Sequence, residues 1–176
     1  MSPQTVFQIQ LILGYLASML CLGAYALPRL NAMDRVAAHR VIATVHSFRF
    51  FGLVFIVPGV VGPHLQAGFA GFAAYGDLAT AVLAILALLT VRVRPLFWTF
   101  VVAFNVVGAA DLIIDYYHAV HLDVPAMAGQ FGAAYVVPII YVPALMITHA
   151  AAFYFLMRRH PQRAWTFGET ARASHA

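Results

Sequence analysis

Asn105-Val-Val-Gly-Ala-Ala-Asp111-Leu-Ile-Ile-Asp115-Tyr-Tyr-His118-Ala-Val-His121 is an apolar stretch interrupted by five polar residues. On a helix, Asp111, Asp115 and His118 stand at i, i+4 and i+7 and share one face. Ionisable groups in an apolar helix are costly and turn toward a bundle interior, a cavity or one another. This face therefore marks the centre of a helical bundle, and the rest of the chain has to supply its partners.

The surrounding composition agrees. The chain of 176 residues is 63% hydrophobic and 9% charged, against roughly 25% charged residues in a soluble domain. That balance predicts a multi-pass membrane protein whose main partner is the lipid bilayer. All ten basic residues are arginines, so there is no lysine for a Schiff base. The one cysteine, Cys21, excludes an intrachain disulfide, a CxxC redox pair and a Cys-ligated cluster. The net charge of +4 comes from arginines at the ends of apolar runs. Such grouping is a topology signal, so no nucleic acid is expected as a partner. A Gly-rich phosphate loop, an HExxH pair and a nucleophile elbow are all missing from the sequence.

A hydrocarbon core of ~30 Å needs roughly 20 apolar residues per helix. The runs that meet this predict an all-α transmembrane bundle of five helices, at about 7–27, 32–57, 69–91, 96–117 and 133–157. They form one domain, residues 1–157, followed by a polar cytoplasmic tail, 158–176. Asn31 and Asp34 read as the start of the second helix. Asp77 is either a buried partner inside the third helix or the cap of a shorter one. Pro138 and Pro143 should kink the fifth. Nine of the ten arginines lie in the 28–40 connection, the 92–94 turn and the tail, while the other two connections have none. The positive-inside rule then puts the N-terminus outside and the C-terminus in the cytoplasm. The tenth, Arg49, falls near mid-bilayer.

Five stretches carry a family resemblance: Gly52 to Val61, Ala74-Tyr-Gly-Asp-Leu78, Asn105 to Leu112, Gly129 to Tyr135 and Val142 to His149. Across about 49–159 the chain resembles a group of small, uncharacterised multi-pass bacterial membrane proteins. The resemblance implies a bacterial inner membrane and attaches no activity.

Depth along the predicted helices sorts the polar residues into candidate sites. His46 and His149 lie at matched depth on different helices, an arrangement that could ligate haem b through the imidazoles or serve as interhelical hydrogen bonds. Asp115, His118 and His121, with His64 from another connection, offer the mixed oxygen and nitrogen ligands of a divalent metal site. Arg49, Asp77, Asn105 and Asp111 form a buried polar seam, with Arg49 expected to pair with Asp77 or Asp111. The leading expectation is a pocket, lined by this seam, for a small hydrophobic ligand or cofactor. A proton- or ion-coupled transport element and a structural or assembly subunit held by buried salt bridges are the alternatives.

Overall fold

The computed structural model describes residues 1–158. The predicted tail beyond Arg158 lies outside the described residues. Six α-helices form the framework: α1 Pro3–Cys21, α2 Leu27–Ala32, α3 Arg35–Ser47, α4 Ala67–Leu89, α5 Arg94–His121 and α6 Val142–Met157. Among the described residues, four helical stretches are long and apolar enough to cross a membrane: Pro3–Ala32, Ala67–Leu89, Arg94–His121 and Val137–Met157. Of the five helices expected, the one over 32–57 is not among these stretches, and the ends of others shift, for reasons that include caps and prolines.

The segment expected as one helix over 32–57 starts later and changes character midway. Asp34 caps α3, accepting from the backbone N–H groups of Val36 and Ala37 at 2.8 and 2.9 Å, while Asn31 belongs to α2. After Ser47 the chain tightens into a 3-10 segment, Phe48–Ile56. Three residues per turn eclipse i with i+3, so its buried residues, Arg49, Gly52 and Phe55, stack in one row. An α-helix would have turned each successive member by about 60° out of that row. Phe48, Phe50 and Phe51 face outward.

Prolines explain two further departures. Pro28 lacks an N–H and crowds the carbonyl four residues back. The chain accommodates it with a π-turn, Leu22–Ala26, whose last bond runs from the Leu27 N–H to Leu22 O. A second π-turn, Val137–Tyr141, precedes Pro143 in the same way, with the Val142 N–H bonded to Val137 O. The predicted fifth helix, 133–157, therefore begins near Val137, and its first residues fall in a 3-10 segment, Val124–Tyr135. Conversely, α5 runs on to His121, four residues past its predicted end, and takes His118 and His121 with it.

The bundle has two apolar layers. One holds Phe7, Phe55, Phe69, Ala73, Phe131 and Val137 near the N-terminus of α1; the other holds Leu30, Ile42, Ala84, Phe97, Phe104 and Phe155 near the arginine-bearing turns. Along α4 the small residues Ala70, Ala73, Ala74, Ala81, Ala84 and Ala87 are all buried, which lets neighbouring backbones approach closely. Where the two layers meet, the buried residues of the 3-10 segment, α4, α5 and α6 turn polar: Arg49, Asp77 and Thr80, Asn105 and Asp111, and His149. At one end, the connections after Ile56 and before Val137 interlock, the Gly62 N–H donating to Gln130 O at 2.6 Å. Gly132 there has a φ of 51° and lies where a side chain would strike the Val60 carbonyl. At the other end, Arg35 donates to Leu156 O at 2.9 Å and lies over the Trp98 ring, and Arg158 bonds Asn31.

Candidate functional site

Arg49 occupies the centre of the polar layer, with no solvent exposure. The 3-10 row aims it at α4 and α5 simultaneously. Its Nε donates to Asp77 Oδ1 at 2.6 Å, and its NH2 group donates to Asp111 Oδ2 at 2.6 Å. The NH1 group donates to Gly108 O at 3.2 Å and to His149 Nε2 at 3.1 Å. One guanidinium thus joins the 3-10 segment, α4, α5 and α6. The sequence leaves the choice between Asp77 and Asp111 open; the structure places Arg49 against both. Asp77 lies well inside α4 and does not cap it.

The direction of the next bonds follows from donor chemistry. Arginine can only donate, so His149 Nε2 accepts and the ring hydrogen sits on Nδ1. That hydrogen points to Asn105 Oδ1 at 3.0 Å, and the Asn105 amide donates onward to Val101 O at 2.8 Å. Asn105 therefore acts as the support that orients His149 toward Arg49. His46 belongs to the same group: its Nε2 lies 3.1 Å from Thr148 Oγ1, and its ring centroid is 4.0 Å from that of His149.

Space for these groups comes from three glycines. A Cβ at Gly52 would collide with the Asp77 carboxylate, one at Gly76 with the Asp111 carboxylate, and one at Gly108 with Arg49, His149 and Thr80. These glycines are the members of the site that sequence reasoning passed over. The available signal was their spacing, since Gly76 directly precedes Asp77 and Gly108 lies one turn before Asp111 on α5.

Haem b does not fit between His46 and His149. Axial ligands approach the metal by their nitrogen edges from opposite sides of the macrocycle, whereas these rings are tilted by 32° with centroids only 4.0 Å apart, which leaves no room for a macrocycle between them. Both nitrogens of His149 are already engaged, by Arg49 and Asn105.

The residues considered for a metal are not gathered either. Among the described residues no three His, Cys, Asp or Glu side chains are grouped to hold an ion. His118 meets the edge of Phe72. His121 stacks on Tyr117 and bonds that residue's carbonyl at 2.9 Å. The backbone of His64 is tied to the Gln130 side chain. Asp115 faces a different space.

That space is a cavity of about 220 Å³ in the layer beside Arg49, bounded by α1, α4, α5 and the two 3-10 segments. Phe7, Phe55, Phe69 and Phe131 are among its walls, and Gln8, Asp77, Asp115 and Tyr116 are its polar lining residues. Among the described residues, neither Asp115 Oδ1 nor Asp111 Oδ1, both buried, has a hydrogen-bond partner. The Tyr116 hydroxyl, on the same wall, is held by Tyr15 of α1 at 2.7 Å.

The family model described as "Domain of unknown function (DUF8737)" matches residues 6–157, a span that includes every group of this site. No curated protein and no solved structure matches the chain.

Proposed function

We propose, for a chain that belongs to the DUF8737 family, a small-ligand-binding function: an integral membrane protein that holds a small hydrophobic molecule in the cavity between α1, α4 and α5. The observation that carries this reading is the cavity itself, walled by phenylalanines and lined also by the carboxyl-bearing residues Asp77 and Asp115. An apolar chamber with a few convergent polar groups is the usual form of a small-molecule site. The Arg49 network behind it holds Asp77 in place.

In the membrane we assign five crossings, with the N-terminus outside and the C-terminus in the cytoplasm of a bacterial inner membrane. Support comes from the arginine distribution and from length: the 13 residues of α3 and the nine of the 3-10 segment rise about 37 Å together, enough for a core of ~30 Å. The test is saturable binding of n-propylbenzene to the protein in nanodiscs, with empty nanodiscs subtracted. Binding that Ala119→Phe abolishes supports the site; a signal no greater than that of empty nanodiscs opposes it.

One observation favours a second reading, proton-coupled transport. Asp115, Asp111, His149 and His46 are the titratable groups around the fixed charge of Arg49, which lies 2.6 Å from Asp111 and 3.1 Å from His149, with 4.0 Å between the centroids of the two imidazole rings. Intramembrane titratable groups of this kind mark proton relays. Dissipation of an imposed pH gradient in proteoliposomes, lost in His149→Ala, distinguishes this reading. A scaffold would show neither binding nor dissipation.

A further inference from the structure

We infer that the cavity selects a small amphiphilic cation, an arylalkylamine in chemical class, with its ammonium on Asp115 and its ring among the phenylalanines. The inference rests on the ligand-binding reading above and adds the charge and size of the ligand to it.

Charge is the first argument. The polar layer sets one buried cation, Arg49, against three carboxyl groups, Asp77, Asp111 and Asp115. Arg49 gives Nε to Asp77 and NH2 to Asp111, and neither bond extends to Asp115. A buried acceptor without a partner carries the full cost of its lost hydration. Among the described residues nothing donates to Asp115 Oδ1: the lining residues of the 3-10 segments and α4 include Phe55, Phe131, Phe69, Ala73 and the acid Asp77, and the Gln8 amide of α1, which also lines the cavity, makes no hydrogen bond to it. The neighbouring Tyr116 hydroxyl is engaged with Tyr15. The missing donor therefore has to come from the cavity.

Size and lining give the rest. An apolar cavity of about 150 Å³ binds benzene, so the 220 Å³ present here accommodates one aromatic ring with a short arm. Four phenylalanines line it, which suits an aromatic ring packed edge to face. A ring bound there points its arm toward Asp115 and Asp77, where an ammonium makes charge-assisted hydrogen bonds.

The test compares 2-phenylethylamine with n-propylbenzene, which differ only in replacing the terminal ammonium by a methyl group. Isothermal titration is run on the full chain in nanodiscs of zwitterionic lipid at neutral pH, with empty nanodiscs subtracted. The amine should bind saturably and at least tenfold more tightly than propylbenzene. Asp115→Asn should reduce amine affinity tenfold or more and leave propylbenzene affinity unchanged. Equal affinity for the two ligands on the unaltered protein overturns the cation assignment, as does unchanged amine binding in Asp115→Asn, and in both cases propylbenzene binding would leave the ligand-binding reading standing. Saturable binding of neither ligand overturns both. The comparison on the unaltered protein decides the matter even where Asp115→Asn does not fold.

Discussion

Replacing Arg49 by lysine keeps the charge and removes the fork, which makes it the most informative perturbation of the polar layer. Arg49 makes four contacts, at 2.6, 2.6, 3.1 and 3.2 Å, to groups on α4, α5 and α6. A lysine ammonium is a point donor on a flexible stem. It can reach one carboxylate and leaves the other without its counter-charge, together with His149 Nε2. Losing one charge-assisted hydrogen bond removes about 1.5–3 kcal/mol, and stranding a buried acceptor costs about 1–3 kcal/mol more. The sum, about 2.5–6 kcal/mol, brackets the ~3–5 kcal/mol usually lost on breaking a buried ion pair and is a large share of the ~5–15 kcal/mol by which domains are stable. Reversible unfolding by SDS titration in mixed micelles measures it. The Arg49→Lys and Asp77→Asn double variant should show a coupling of about 1–3 kcal/mol, because the two residues share a bond. An Arg49→Lys protein within about 0.5 kcal/mol of the parent, the range of an ordinary surface change, would refute the claim that one guanidinium ties four elements together.

Gly76→Ala and Gly108→Ala should each destabilise by about 1–3 kcal/mol through overpacking against Asp111 or against Arg49 and His149. Gly68→Ala and Gly71→Ala, also in α4 but with open space around them, should be neutral or stabilising by up to about 1 kcal/mol in the same titration. Single cysteines at His64 and Gly129, in a Cys21→Ala background, should react with an impermeant thiol reagent applied to intact cells; labelling only after lysis would contradict the proposed orientation. Protein purified from haem-replete cells should show no Soret band, and adding hemin should not produce one. A low-spin spectrum lost in His46→Ala would show that the two imidazoles separate to admit a macrocycle.

The broad architecture is legible in the sequence because apolar runs of membrane length leave few choices. The same logic points to Arg49: a lone arginine in an apolar segment requires acids, and Asp77 and Asp111 are the acids at comparable depth. Details of helix geometry are hidden for the opposite reason. When nearly every residue is apolar, periodicity has little contrast, so nothing distinguishes the 3-10 row of Arg49, Gly52 and Phe55 from an α-helical stripe. Boundaries suffer similarly, since α4, α5 and α6 begin without a side-chain cap. Matched depth brings His46 and His149 to one level but says nothing of how far apart or at what tilt their rings meet. The cavity is invisible to sequence altogether, because Phe7, Asp115 and Phe131 come together only through the fold.

The claim that the Arg49 layer borders a ligand chamber is tested most directly by native mass spectrometry of the protein released from detergent micelles, beside its Ala119→Phe variant. Ala119 lines the cavity, and a phenyl ring there occupies space comparable to the benzene that a cavity of ~150 Å³ admits. The account predicts a parent protein carrying one small hydrophobic adduct, and a variant of equal helicity carrying none. Spectra without an adduct in either protein, or with the same adduct at equal occupancy in both, would contradict it.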